Sequence, residues 1–107
     1  MSNSCLFCRL VQGDIPSRKI FEDEEILAFH DIHPSAPVHF LVIPKIHRDS
    51  LSHCDSGDQL LLGKMLLLVP RLAQEQGLSG FKSIIHTGAE GGQEVFHLHI
   101  HVLGGAN

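Results

Sequence analysis

A chain of 107 residues, 43% hydrophobic and 19% charged, has room for one modest core and no second. Its net charge of −4 excludes a protein that coats nucleic acid with basic charge, although binding one nucleotide needs only local donors. Nine histidines against no Trp and no Tyr is the unusual feature, and three cysteines suit a reducing compartment better than a disulfide framework. Met1-Ser2-Asn3-Ser4-Cys5 lacks the pattern of a signal peptide, and Leu60-Leu61-Leu62 is cut by Gly63-Lys64 far short of a membrane span. The expectation is one cytoplasmic domain over residues 1–107, with no membrane and no nucleic-acid partner.

Cys5 to Val11 reads as a short helix with Leu6, Phe7, Leu10 and Val11 on its apolar side, stopped by Gly13 and Pro16. Ile20 to Glu22 and Glu25 to Asp31 read as two short strands around an acidic turn. Pro34 and Pro37 then force an irregular crossing into a third strand, Val38 to Ile43, closed by Pro44. Ser56-Gly57-Asp58-Gln59 has capping-box form, with Ser56 as N-cap, and predicts a helix through Leu60, Leu61, Lys64, Met65, Leu68 and Leu72 that ends before Gly77. Pro70 inside that pattern predicts a kink or a split. Its leucine stripe is core or a subunit contact. Phe81 to His86 reads as a further strand, followed by a turn through Gly91-Gly92. With a last strand to come, the sum is α+β: an antiparallel sheet of about five strands, one main helix and a short N-terminal one.

The last strand carries the chemistry. In Val95-Phe96-His97-Leu98-His99-Ile100-His101-Val102-Leu103, histidines alternate with apolar residues. A β-strand sends alternate side chains to opposite faces, so His97, His99 and His101 are expected in line on one face, with successive histidines ~6.6 Å apart. Phe96, Leu98, Ile100 and Val102 are expected to anchor the other face in the core. Gly91-Gly92 just before them is either a tight turn or a nest of backbone N–H groups suited to phosphate. Imidazoles donate hydrogen bonds to phosphoryl oxygens, and a neutral one attacks phosphorus. Cys5-x-x-Cys8 permits three readings: a redox pair, half of a zinc site, or two small apolar residues on a helix.

The run from Gln93 to Leu103 resembles the signature of the histidine-triad nucleotide-binding family. The likeness extends through Cys5-Leu6-Phe7-Cys8, Gly13-Asp14-Ile15-Pro16, Phe29-His30-Asp31-Ile32, His39-Phe40-Leu41-Val42-Ile43-Pro44-Lys45 and Gly104-Gly105. The His30-Asp31-Ile32 segment and that ending resemble the Hint branch, whose members hydrolyse purine nucleoside phosphoramidates. The resemblance implies that His99 attacks the α-phosphorus and carries the nucleotidyl group. His101 then binds the phosphate together with backbone N–H groups around Gly92, Gln93 and Glu94, while His39 and His97 orient the reacting ring. It implies further that Asp31 receives the ribose hydroxyls, and that Leu6, Phe7, Leu10, Phe29, His30 and Ile32 form the slot for the base. A homodimer is implied too, and no metal is required.

Two residues depart from the family pattern. His86 stands near the phosphate where Hint proteins usually carry Asn, and Glu94 where some carry Ser beside the leaving group. Members with the cysteine pair hold structural zinc through positions that here are Cys5, Cys8, His47 and His97. Other members lack the cysteines, so zinc remains open. Three alternatives stand beside the phosphoramidase: cleavage of dinucleoside polyphosphates, a nucleotide-binding regulatory adaptor with incidental turnover, and a module whose three histidines hold a metal.

Overall fold

The computed structural model describes residues 5–105; the expectation that Met1 to Ser4 carry no signal-peptide pattern concerns residues outside those described. The elements run α1 (Leu6–Gln12), β1 (Lys19–Glu22), β2 (Ile26–His30), β3 (Val38–Pro44), α2 (Gln59–Glu75), β4 (Phe81–Ile84) and β5 (Ile100–Gly104), with three single 3-10 turns at Leu51–His53, Ser56–Asp58 and Ala89–Gly91. The strands form one antiparallel sheet in the order β1-β2-β3-β5-β4, so the expected α+β architecture of five strands, one main helix and one short helix is the one observed.

Residue parity sorts the sheet into two faces. Ile26, Ala28, Phe40, Val42, Ile100 and Val102 face α2 and pack on its Met65, Leu68, Val69, Leu72 and Ala73. Those five helical positions recur at the spacing of one apolar stripe, and each large one stabilises the fold by roughly 1.5–3 kcal/mol on burial. Leu27, Phe29, Leu41 and Ile43 face the other way, against Phe7 and Leu10 of α1. Register pairs Leu41 with His101, and His101 with Ile84 of β4, so that imidazole shares the α1 face. His39, two residues before Leu41, has the same parity.

Helix α2 runs unbroken through Pro70. That proline is exposed, so water can solvate the carbonyl one turn earlier that it leaves without an N–H partner. The capping box lies one residue earlier than expected: Asp55 accepts the N–H of Gly57 at 2.8 Å, and Asp58 accepts that of Asp55 at 3.1 Å. A carboxylate at each end outcompetes the hydroxyl of Ser56. Asp58 is then clamped by the Arg48 guanidinium, which holds its carboxyl below the usual range.

The histidine segment departs most from expectation. It is extended only from Ile100; residues 95–97 bend, and Phe96 is 44% exposed instead of lying in the core. Continued pairing would set Leu98 opposite Pro44, which has no N–H to give. The Leu98 N–H instead donates to the Arg48 carbonyl at 2.7 Å, and the chain swings against the loop after β3.

Candidate active site

The bend separates the three histidines into two sites. His101, on β5, and His99, just before it, line a cavity of about 470 Å³, their ring centroids 4.8 Å apart. His97 is wholly buried behind it, with its ring turned to Cys5, Cys8 and His47. The expected single row of three imidazoles is therefore a pair plus one.

Tautomers follow from fixed partners. The His97 carbonyl only accepts, so the His99 Nδ1–H donates to it at 2.7 Å and Nε2 keeps its lone pair. The Ser35 backbone N–H donates to His39 Nδ1 at 3.0 Å, so the His39 proton sits on Nε2 and is given to His101 Nδ1 at 3.0 Å. His101 is left with its proton on Nε2. The cavity thus presents one lone pair and one N–H donor. Burial pushes His99 below its ordinary value, and burial together with the neighbouring His99, His39 and His86 pushes His101 down to about 4. Both rings are neutral at pH 7. His39 orients His101, and the backbone of residue 97 orients His99; neither the His39 nor the His97 imidazole stands behind the His99 ring.

Around this pair, Leu6, Phe7, Leu10, Phe29, His30 and Ile32 line the cavity, as do Asp31, His86, Gly92 and Glu94. Phe7 sets its ring edge-on to His99, centroids 5.1 Å apart, and to Phe29 at 5.6 Å. One Asp31 oxygen accepts the His33 N–H at 2.8 Å, and the other lies 3.4 Å from His39 Nε2. His86 stacks edge-on to His101 at 5.3 Å. No Lys or Arg lines the cavity among the described residues, so an anion there meets imidazoles, backbone and the serines Ser17 and Ser35 and no fixed cation, with the carboxylates of Asp31 and Glu94 also in the wall.

Gln93 is the expected ligand that the fold withdraws. It is buried, accepts the Gly88 N–H at 2.8 Å and donates to the carbonyls of Asp49 at 2.7 Å and Val95 at 3.0 Å. The glycine nest is spent as well, because the N–H groups of Gly91, Gly92 and Gln93 bond to carbonyls within their own turn. The N–H of Glu94 has no partner among the described residues and is the donor left for a phosphoryl oxygen. Left-handed Gly92 (φ 91°) has His86 against it: a Cβ there would meet His86 Cδ2 at 3.3 Å.

Cys5, Cys8, His47 and His97 converge so that their ligand atoms all lie within 4.8 Å of one another. Cys5 Sγ and Cys8 Sγ approach His97 Nδ1 at 3.3 and 3.6 Å, and Cys8 Sγ approaches His47 Nδ1 at 3.2 Å. Those separations suit the edges of a tetrahedron with bonds of about 2.0–2.3 Å. The remaining ring nitrogens are fixed too: His97 Nε2–H donates to the Pro44 carbonyl at 2.7 Å and His47 Nε2–H to Asp49 at 2.6 Å, leaving both Nδ1 lone pairs toward the thiols. The donor set fits zinc.

Sequence reading missed Ser35, Asp49 and the Pro44 carbonyl, the groups that set ring tautomers. Asp49, two residues after His47, was the one with a visible signal; the others act through backbone atoms. It also left out Ile15, Pro16, Ser17, His33, Leu41 and Val95, which complete the cavity wall. His53 is exposed and shares a hydrogen bond with Ser50 Oγ at 2.8 Å.

The HIT domain family matches residues 12–107, and the chain belongs to that family. It is 52% identical over 103 residues to Protein HitA of Neisseria gonorrhoeae, covering 95% of this chain and 96% of that protein. A HIT family hydrolase from Legionella pneumophila superposes with a TM-score of 0.93 at 46% identity, over 96% of this chain and 94% of its own. A histidine triad protein from Clostridium difficile gives 0.94 at 40% identity, over 100% and 95%.

Proposed function

We propose that this protein hydrolyses purine nucleoside 5′-phosphoramidates to nucleoside monophosphate and an amine. The observation that carries the reading is the tautomer pair in the cavity: a neutral His99 with its Nε2 lone pair free, 4.8 Å ring to ring from a His101 that offers an N–H. That is a nucleophile beside an anion donor. Membership in the HIT family and the likeness to a HIT family hydrolase support hydrolysis.

His99 Nε2 attacks the α-phosphorus, the phosphorus–nitrogen bond to the amine breaks, and the amine leaves with a proton taken from solvent, which the attacking water of the second step returns. Water then attacks the same phosphorus, the bond to His99 breaks, and the monophosphate departs. His101 Nε2–H and the Glu94 N–H stabilise charge on the non-bridging oxygens, beside an apolar wall of Leu6, Phe7, Leu10 and Phe29 that strengthens them. Asp31 accepts from the ribose hydroxyls, and the base lies between Phe29, Leu10 and Ile32. Cys5, Cys8, His47 and His97 would hold a zinc ion, which would supply a closed structural link and no activated water.

The working unit in this reading is a homodimer. Leu60 and Leu67 on the outer face of α2 are 90% and 79% exposed, and the sheet ends in the free edges of β1 and β4.

Incubation with a purine nucleoside phosphoramidate tests the reading directly. Monophosphate release by the parent chain, lost in His99→Ala, is expected; equal rates in both would overturn it. A dinucleoside polyphosphate assayed in parallel should turn over more slowly, and preference for it would move the substrate to that class.

A further inference from the structure

We propose that metal held by Cys5, Cys8, His47 and His97 and nucleotide held in the cavity raise each other's affinity, because α1 is part of both sites. This rests on the nucleotide reading of the cavity. Cys5 caps α1 and Cys8 sits within it, while Leu6, Phe7 and Leu10 of the same helix line the cavity.

Seven residues are too few for a helix to stand alone in water. Helix α1 has apolar contacts beneath it through Phe7 and Leu10, and beyond its own C-cap at Gly13 and Asp14 its hydrogen bonds to the rest of the described chain run through the two cysteines. A metal would replace those long thiol–imidazole contacts with four bonds and so fix where Phe7 stands.

Phe7 is the first mechanical link, since its ring touches both His97 (centroids 5.9 Å) and His99 (5.1 Å). The second is His97, whose ring faces the thiols while its carbonyl receives the His99 Nδ1–H. A ligand that orders α1 and residue 97 spares the other ligand the cost of ordering them, which is positive coupling without any change of fold. Coupling of this kind is reciprocal, so one factor must appear in both affinities.

The test uses the full chain, loaded with one equivalent of zinc or stripped by chelator under reductant, and titrated with adenosine 5′-monophosphate by calorimetry. Stripping should weaken the nucleotide about tenfold, within the ordinary range of such couplings. Starting from the loaded, folded protein, the nucleotide should slow zinc transfer to a chromogenic chelator by a similar factor, a measurement that does not depend on the stripped chain staying folded. Cys5→Ser/Cys8→Ser should bind the nucleotide as the stripped protein does and ignore added zinc. Equal nucleotide affinities with and without bound zinc, transfer rates indifferent to the nucleotide, or failure of zinc to bind one per chain would each overturn the coupling. Nucleotide binding to neither form would overturn the reading of the cavity itself.

Discussion

The ring of His99 is tied to the backbone of His97, Nδ1 to O at 2.7 Å, while the ring of His97 points away into the cysteine cluster. Orientation of one imidazole thus depends on the position of the other residue's main chain and not on its side chain.

The two histidines should therefore respond differently to the same substitution. His99→Gln should lose at least ~1000-fold in kcat while still binding nucleoside monophosphate. His97→Gln keeps the accepting carbonyl and should lose no more than about tenfold in kcat, with a larger loss of bound metal. Steady-state kinetics and metal analysis on the two variants decide it; a His97→Gln enzyme as inactive as His99→Gln would restore a direct part for that ring.

His39 acts one step further out, fixing which nitrogen of His101 carries the proton. With His39→Ala the His101 ring is free to take the wrong tautomer, and kcat should fall on the order of 100-fold. Substrate affinity should change much less. Nitrogen chemical shifts of the His101 ring would report the tautomer independently of turnover.

Acid should destabilise the protein. His101 titrates at about 4 when folded, chiefly because it is buried, against an ordinary 6.5. Below 6.5 the unfolded chain binds a proton that the folded one refuses, so stability falls as pH drops from about 6.5 to about 4 and then levels. His97, also at about 4 through burial, adds to the same window in metal-free protein. Urea midpoints of metal-free protein at pH 7 and pH 5 check the sign, and His101→Gln should show a smaller drop between them.

Glu94 lines the cavity and is exposed, so its carboxylate is available to a cationic amine in the proposed reaction. Glu94→Ser should lower kcat/KM for phosphoramidates of amines with a second positive charge more than for neutral ones. Identical preferences in parent and variant would remove any part for this side chain in selecting the amine.

The two sides of α2 separate folding from assembly. Leu72→Ala empties a fully buried position and should cost about 2–5 kcal/mol of stability. Leu67→Lys, on the 79% exposed side, should leave the denaturation midpoint of the monomer within error and shift sedimentation toward the single chain.

The α2 stripe was legible through local periodicity at Met65, Leu68 and Leu72, while Leu60 at its start is exposed; in the histidine strand the expected core face holds for Leu98, Ile100 and Val102 and fails at Phe96. The histidine run was misread because alternation in sequence does not report whether the strand has a partner. Pro44 denies Leu98 one, and two unlike sites share a single H-x-H-x-H pattern. Gln93 was misplaced for a related reason: an amide beside a glycine turn fits equally well as a ligand and as an internal brace, and only the carbonyls of Asp49 and Val95 decide. Cys5, Cys8, His47 and His97 were brought together in advance by resemblance alone, since spacing over 92 residues carries no geometry.

Because odd-numbered residues of β2, β3 and β5 look toward α1 and even-numbered ones toward α2, a one-residue insertion or deletion within any of these strands would swap solvent-shy side chains for reactive ones. The count of residues between Val38 and Pro44, and between Ile100 and Gly104, is what keeps His39 and His101 on the cavity side of the sheet.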